Sequence, residues 1–348
     1  MTPRVLEPVL ALCRGSGFCY RYDIYQYANR GSMRRVCGIV LLWVGIWGGC
    51  SGAPALPMRG YGGDEDFAAR CGTPGVIRCF GFDSQAEVDP HVMPPAGRRE
   101  KRGIVVTDIK ASGAGALRFE VPPFSGSDTS GSFWLNFAED LSAQFGEGEE
   151  FYIQWRQRFS PEFLETYFEE GGGWKQFIVG EGDRPGFTAH SCTQLELVVH
   201  NGYQLGYPQM YHSCGAKDGQ YEGLPSSGSV GYAANEWMTF QLHVKIGTWY
   251  RNDGRYHSDS TVQLWIAREG RPSRLVVDLS PEPVTFFGVS IPGTGNGYDL
   301  ANENPVAKYG KVWLLPYHTG KSPQQSHPIG YIWYDELIIS KTRIPDPQ

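Results

Sequence analysis

The chain has 348 residues, enough for one large domain or two small ones, and it contains 45 glycines, 24 prolines and 14% aromatic residues. Its short alternating apolar runs, separated by Gly, Ser, Asn, Asp and Pro, argue against an α/β enzyme and predict an all-β jelly-roll sandwich of two antiparallel sheets. The formal charge of −6 argues against general nucleic-acid binding, although it leaves room for a local basic groove.

The first segment with a recognisable pattern is a signal peptide over residues 33–49. Two arginines follow Met33, an apolar run extends from Val36 to Trp47, and small residues come next. This apolar run is shorter than a transmembrane helix requires. Residues 1–32 precede this signal and are interpreted as an over-extended N-terminus.

The end of the signal resembles a bacterial lipobox, whose cysteine is lipidated after cleavage. Gly48-Gly49-Cys50 makes Cys50 the predicted lipid anchor, although Trp47 stands where Leu is usual. Plain secretion is the alternative. We therefore expect an exported protein, either a cell-envelope lipoprotein or a secreted one, that meets the membrane only through lipid. The Gly/Pro-rich residues 50–75 are predicted to form a tether.

Cysteine usage agrees with export. Of eight cysteines, four lie beyond the lipid anchor, and an even number in an exported domain favours two disulfides. Proximity in sequence predicts the pairs Cys71–Cys79 and Cys192–Cys214. A metal site is less favoured, because neither pair has C-x-x-C spacing.

Residues 76–346 show no linker and no repeat, so we expect one jelly-roll domain that is monomeric. One short helix is predicted within it, with Ser160 as its N-cap and Pro161 at its first position.

The strand "FYIQWRQRFS" (151–160) places apolar side chains on one face and an unusual polar set on the other. Similar faces follow in 173–182, 192–201, 237–247, 261–268 and 311–318. The polar and aromatic members are Tyr152, Gln154, Arg156, Arg158, Lys175, Gln176, Gln194, His200, Gln241, His243, Lys245 and Trp265. Each residue alone is ordinary surface, but together they predict one concave sheet that binds an acidic polysaccharide or oligosaccharide through stacking, hydrogen bonds and positive potential.

The closing segments "YGKVWLLPYHTGK" and "GYIWYDELIIS" resemble the last strands of concanavalin A-like lectin/glucanase jelly rolls. Among these they are most similar to polysaccharide lyases of the heparin-lyase, alginate-lyase and glucuronan-lyase type. The resemblance covers residues 76–346 as a strand pattern, and only the last forty residues are motif-like. It implies cleavage of a uronate polymer by β-elimination. Such lyases neutralise the carboxylate, remove the adjacent proton and protonate the leaving oxygen.

The resemblance implies a role for several residues of this chain. Arg156 or Gln194 would neutralise the carboxylate, His200 or His243 would act as base, and Tyr317 as acid or base. Tyr211 and His212 form a second candidate pair, and His318 would contact substrate. The family's R-x-E-x-R and Q-I-H motifs are absent, as is the E-x-D-x-E of laminarinase-type glucanases. A non-catalytic lectin-like protein is the main alternative, and a glycoside hydrolase a weaker one.

Such jelly rolls often hold a structural Ca²⁺ where the first and last strands meet. Asp83 and Asp335 stand at the matching places, and carboxylate oxygens are what calcium prefers. Ordinary turn or edge-strand acids explain these two residues equally well.

Overall fold

A computed structural model shows two antiparallel sheets packed face to face. It describes residues 62–94, 102–171, 173–182, 196–201, 206–213, 220–222, 230–255, 257–286, 289–295, 297–301, 304–314 and 316–348. The predicted signal peptide, Cys50, Gln194, Cys192 and Cys214 lie outside these residues.

Three short helices and seventeen strands make up the described chain. The helices are α1 (Asp64–Cys71), α2 (Gln85–Val88) and α3 (Pro161–Glu165). The strands are β1 (Val76–Phe80), β2 (Val92–Met93), β3 (Ile104–Val106), β4 (Ala116–Val121), β5 (Ser132–Asn136), β6 (Glu150–Phe159), β7 (Trp174–Glu181), β8 (Glu196–Asn201), β9 (Pro208–Ser213), β10 (Gln220–Glu222), β11 (Met238–Lys245), β12 (Thr261–Ala267), β13 (Arg274–Leu279), β14 (Glu282–Phe286), β15 (Val289–Gly295), β16 (Tyr309–Leu314) and β17 (Gly330–Ser340).

The larger sheet, sheet A, has eight strands in the order β13-β12-β11-β6-β17-β4-β3, with β1 also paired to β17. The opposing sheet B has seven strands in the order β10-β9-β8-β7-β16-β5-β2, and β14 pairs with β15 in a separate ribbon. Strands remote in sequence, such as β6 and β17, are hydrogen-bonded neighbours. The predicted all-β jelly-roll sandwich of two antiparallel sheets is confirmed.

The apolar faces of the two sheets form one shared core, as the period-two pattern predicts. Phe151, Ile153 and Trp155 of β6 point into it, and Trp155 stacks on Phe177 of sheet B with ring centroids 4.0 Å apart. Burial of such large side chains is the main stabilising contribution to a sandwich of this kind.

The predicted short helix after β6 is confirmed as α3. The Ser160 side chain accepts a hydrogen bond from the Phe163 amide at 3.2 Å, and Pro161 occupies the first helical position. Within the described part of the chain, no helix has the length and apolar character needed to cross a bilayer.

The chain is ordered earlier than the predicted domain start at residue 76. Helix α1 lies inside the predicted tether, and its Arg70 is buried with only 2% exposure. The predicted disulfide Cys71–Cys79 is confirmed, and it joins the end of α1 to β1. The helix therefore belongs to the folded domain, because it supplies a buried cation to sheet A.

Candidate functional site

The structure divides the predicted site residues between the two sheets. Sheet A carries Tyr152, Gln154, Arg156, Arg158, Gln241, His243, Lys245 and Trp265. Sheet B carries Lys175, Gln176, His200, Tyr211 and His212, and Tyr317 and His318 follow β16. Because the apolar core separates the outer faces of the two sheets, the prediction of one surface built from all of them is wrong.

The polar face of sheet A is covered by the two ends of the domain. Gln154 and Gln241 are at most 1% exposed. The Gln154 side-chain amide donates to the Pro345 carbonyl at 3.0 Å, and the Ile344 amide donates to the Gln241 side-chain oxygen at 2.8 Å. These glutamines satisfy the backbone of the C-terminal segment 341–348, so they are not available to a polysaccharide.

Arg156 belongs to a buried ionic cluster on the same face. Its Nη1 lies 3.5 Å from Glu336 Oε1, its Nη2 lies 3.6 Å from Glu269 Oε1, and its side chain is fully buried. Glu336 also accepts from Arg70, whose Nη1 donates to Gln154 Oε1 at 2.8 Å. Buried charges require such partners. This buried, ion-paired position gives the predicted role of Arg156 in neutralising a substrate carboxylate no support.

His243 and its neighbours are also committed to contacts within the protein. The His243 Nε2 lies 3.0 Å from Glu150 Oε2, and its ring stacks on Tyr152 at 4.2 Å with an interplanar angle of 4°. Arg343 of the C-terminal segment lies over Trp265, with its guanidinium carbon 4.9 Å from the ring centroid. His243 thus lies on the opposite sheet from Tyr317, and the two cannot act on one sugar.

Two predicted residues from the sheet B region are buried inside the fold. Gln176 is fully buried, donates to Gln157 Oε1 at 2.9 Å and accepts from the Tyr232 hydroxyl. A bulge between Lys175 and Phe177 turns this glutamine into the core. This enclosed position gives the predicted substrate contact of Gln176 no support.

His318 is the second of these buried residues. It is 2% exposed and packs on Phe168 with ring centroids 4.0 Å apart. Burial, with Lys321 nearby, lowers the pKa of His318 to about 3, and its Nδ1 accepts from the Gly320 amide at 3.0 Å. This neutral, enclosed imidazole organises its loop, and its burial gives the predicted contact of His318 with substrate no support.

The outer face of sheet B brings together a different set of side chains, centred on Lys175 and Tyr317. The Lys175 amide donates to the Tyr317 carbonyl at 2.8 Å, and its Nζ lies 5.5 Å from the Tyr317 ring centroid. Trp313 and Tyr317 pack together on the buried Ile178. Lys175, Trp313 and Tyr317 are each partly exposed when the described residues are considered.

The neighbouring strand extends the same arrangement. Trp134 of β5 lies opposite Trp313 in register, and Lys311 lies opposite Asn136. The Lys311 Nζ sits 5.5 Å from the Trp134 ring centroid. Both Trp134 and Lys311 are buried, so they are not themselves available to a ligand. The outer face therefore alternates aromatic rings with lysine ammonium groups.

Sequence reasoning placed Lys311 and Trp313 on a polar strand face without giving them a role, and it did not select Trp134. The alternation of Lys311 and Trp313 with core residues in "KVWLLPYH" was the available signal. Trp134 gave no signal of its own, because its pairing partner lies far away in sequence.

The remaining predicted residues of sheet B are located by strand register. His200 lies directly opposite Lys175, and Gln209 lies opposite His200 on the far side. Tyr211 pairs with Val198, and His212 pairs with Leu197. The backbone thus brings His200 beside Lys175, and Tyr211 lies on the next strand.

The two predicted calcium ligands hold a loop. Asp335 Oδ2 accepts from the amides of Ala111 and Ser112 at 2.7 and 3.3 Å, and Asp83 Oδ1 accepts from the Ala114 amide at 2.5 Å. Burial and the neighbouring Glu336 raise the pKa of Asp335 well above its ordinary value. Among the described residues no group of three or more His, Cys, Asp or Glu is placed to hold a metal ion. Carboxylates surrounded by N–H donors do not fit a calcium ion, so this geometry gives the calcium prediction no support.

No protein-family model matches the chain, and no curated protein matches it in sequence. Solved structures do match. The alginate lyase Aly36B is 16% identical over 78% of this chain and 98% of its own, with a TM-score of 0.43. The PL-14 alginate lyase from Aplysia kurodai is 14% identical over 70% and 87%, with a TM-score of 0.42. A putative β-glucanase from Mycobacterium abscessus is 12% identical over 76% and 100%, with a TM-score of 0.37.

Proposed function

We propose that the outer face of sheet B binds an acidic, uronate-containing polysaccharide and cleaves it by β-elimination. The observation that carries this proposal is the pairing of a lysine ammonium with a tyrosine on an accessible face, where Lys175 Nζ lies 5.5 Å from the Tyr317 ring. The buried residues of sheet A, including Arg156, take no part in it.

The face provides both kinds of contact that an acidic sugar needs. The partly exposed rings of Trp313 and Tyr317 offer apolar faces to the CH groups of a pyranose ring. The Lys175 ammonium offers a positive charge to the carboxylate of the same or the next sugar unit. Lys175 therefore takes the neutralising role that the sequence assigned to Arg156.

The chemistry requires a base, an acid and charge stabilisation. Removal of the C5 proton sends its electron pair into a C4–C5 double bond while the C4–O bond breaks, and the leaving oxygen takes up a proton. The Lys175 ammonium stabilises the negative charge that grows on the carboxylate. His200, opposite Lys175 in register, is the proposed base, and the Tyr317 hydroxyl is the proposed acid, with the roles exchangeable. Tyr211 on the next strand is the alternative phenol.

A lectin-like function on the same face is the second candidate. It is favoured by the partly exposed rings of Trp313 and Tyr317 beside the Lys175 ammonium, because stacking and a positive charge can bind a sugar without any base.

The distinguishing assay follows the product. β-Elimination leaves a 4,5-unsaturated sugar that absorbs near ~230 nm, because proton abstraction forms a conjugated double bond. The protein would be mixed with alginate, glucuronan, heparin-type and pectic polymers. We expect absorbance with at least one of them. Binding without absorbance would support the lectin, and new reducing ends without absorbance would support a hydrolase.

Two variants locate the chemistry. Lys175→Ala and Tyr317→Phe should each lower the rate at least about hundredfold, the usual size of an acid–base or charge-stabilising contribution. Lys308→Ala and Tyr250→Phe are matched controls, because both residues are exposed and lie outside the site. Full activity in both site variants would refute the assignment to sheet B.

We also infer that the protein is exported and lipidated at Cys50. The support is the signal-peptide pattern of residues 33–49 together with the Cys71–Cys79 disulfide, which suits an oxidising compartment. Mass spectrometry of the mature N-terminus tests this: a diacylglyceryl-modified Cys50 is expected, and an unmodified N-terminus elsewhere would refute it.

A further inference from the structure

A cavity of about 390 Å³ is lined by helix α3 with the residues just after it, and by the segment 325–328 that leads into β17. Its apolar lining comes from Pro161, Tyr167 and Pro328, and Tyr167 is 63% exposed. The volume is in the range of sites that enclose one small molecule. We call this the α3 cavity. None of its lining residues belongs to the proposed cleavage face.

A nearly buried amide lines the cavity. Gln325 is only 7% exposed, its Nε2 donates to the Tyr167 carbonyl at 2.6 Å, and its Oε1 accepts from the Glu169 amide at 3.1 Å. A side-chain amide has two N–H donors and two acceptor lone pairs. Within the described chain, Gln325 therefore uses one donor and one lone pair to fix the backbone beside the cavity. Its second donor and second lone pair remain for a ligand.

Two carboxylates of α3 line the same cavity. Glu162 and Glu165 are three residues apart, and this spacing places side chains on one face of a helix. Both residues are exposed, and neither carboxylate has a hydrogen-bond or ion-pair partner among the described residues. The described lining includes no lysine or arginine, and none occurs in the sequence from Phe159 to Trp174. The cavity therefore carries a negative charge that favours a cationic ligand and disfavours a uronate.

A histidine of the lining adds a further acceptor. His327 Nδ1 lies 2.6 Å from the Pro328 carbonyl, and a carbonyl can only accept, so Nδ1 carries a hydrogen. In the neutral imidazole the other nitrogen, Nε2, is then an acceptor. The His327 ring packs against Phe168, with ring centroids 5.2 Å apart. The lining is thus rich in acceptors, which suits a ligand with several donors.

We propose that the α3 cavity binds one amino-sugar unit that carries a free ammonium group, as glucosamine does. The ammonium contacts Glu162 and Glu165, because hydrogen bonds between ionised partners are the strongest. The CH face of the sugar packs on the Tyr167 ring, and the sugar hydroxyls bond to Gln325 and His327. A lysine side chain would satisfy only the carboxylates, since its stem has no donors. The proposal is independent of the proposed cleavage of a uronate polymer.

Calorimetric titration of the full chain with the glucosamine tetramer tests the proposal. The N-acetylglucosamine tetramer is the matched ligand, because acetylation removes the charge of each ammonium. We expect saturable binding of the glucosamine tetramer and at least about tenfold weaker binding of the acetylated one. Glu162→Gln/Glu165→Gln should weaken the first about ten- to hundredfold, as expected for lost charge-assisted hydrogen bonds. The matched control is Glu65→Gln/Asp108→Asn, which removes two exposed acids outside the cavity.

Several results would overturn the proposal. One is the absence of saturable binding, and another is equal affinity for the two tetramers, since no ammonium would then be needed. Equal losses in the cavity variant and the control would assign the attraction to the net charge of −6 rather than to the cavity.

Two further measurements test the sugar assignment itself. Tyr167→Ala should weaken binding of the glucosamine tetramer about fivefold through lost stacking, and unchanged affinity would refute the sugar assignment. Tetralysine that binds as tightly as the glucosamine tetramer would reduce the cavity to a plain cation site and also refute it. These variants leave Lys175 and Tyr317 intact, so the absorbance assay reports on the proposed cleavage separately.

Discussion

The covered face of sheet A leads to a sharp stability prediction at Arg70. This side chain is 2% exposed and binds three partners: Glu336, Asp66 Oδ2 at 2.8 Å and Gln154 Oε1 at 2.8 Å. Replacing Arg70 by Met keeps much of the apolar stem but removes the charge. Glu336, which is fully buried, then loses its principal counter-ion.

The magnitude follows from the remaining contacts. Removing one partner of a buried ion pair costs roughly 3–5 kcal/mol, because a charge is left without compensation. Arg156 Nη1 stays 3.5 Å from Glu336, so part of the compensation survives. We therefore expect a loss of about 3 kcal/mol in the free energy of unfolding, or roughly 6 °C in Tm for a domain of this size.

Urea unfolding followed by tryptophan fluorescence measures this loss. The matched control is Arg78→Met, since Arg78 pairs with the exposed Glu139 at 2.6 Å and such surface pairs contribute about 1 kcal/mol or less. The double variant Arg70→Met/Glu336→Gln should lose less than the sum of the two single losses, because it leaves no unpaired charge. A loss at Arg70 no larger than at Arg78 would refute the buried-cluster reasoning.

Four further outcomes are expected. Arg156→Met should lower the free energy of unfolding but leave the cleavage rate of the folded fraction unchanged in the absorbance assay. A lower cleavage rate with unchanged stability would instead support the prediction that Arg156 neutralises the substrate carboxylate. Cys71→Ser/Cys79→Ser should lower the free energy of unfolding by roughly 2.5 kcal/mol, since the bridged residues are 8 apart in sequence, and unchanged urea midpoints would contradict this. Trp313→Ala should weaken polymer binding about tenfold in a binding assay, while Tyr250→Ala should not, and equal effects would exclude stacking on this face. The pKa of His318 is about 3 in the folded protein, against 6.5 for an ordinary histidine. Between these two pH values the unfolded chain binds a proton at His318 that the folded protein does not, so the free energy of unfolding should fall as the pH drops from 6.5 towards 3. His318→Gln should flatten this fall, by up to roughly 5 kcal/mol, and an unchanged pH profile would contradict the burial of a neutral imidazole.

The fold could be predicted from local pattern because strand alternation is a local signal. The residues of "FYIQWRQRFS" report their own buried face, and Phe151, Ile153 and Trp155 do point into the core. The cap of α3 at Ser160 and the Cys71–Cys79 bridge are equally local, since each depends on residues within eight positions of one another. For this reason the sandwich, the helix α3 and the disulfide could be predicted from the sequence.

The candidate site was predicted only in part. Tyr317, Lys175 and His200 were selected, and the structure brings Lys175 beside Tyr317 and places the backbone of His200 opposite Lys175. Gln176 was assigned to the wrong side, because a bulge after Lys175 shifts the alternation by one residue. Trp134 was missed because its partner, Trp313, is far along the chain.

The sequence by itself therefore determined which strands exist and which of their faces is apolar. It did not determine what covers the polar faces. On sheet A, helix α1 and segment 341–348 meet Gln154 from opposite ends of the domain, through the Arg70 side chain and the Pro345 carbonyl. A polar strand face looks the same in sequence whether it meets a ligand or another part of the chain. Only tertiary structure decided this, because the choice depends on contacts between residues as far apart in the chain as Arg70 and Glu336, which are separated by 266 positions.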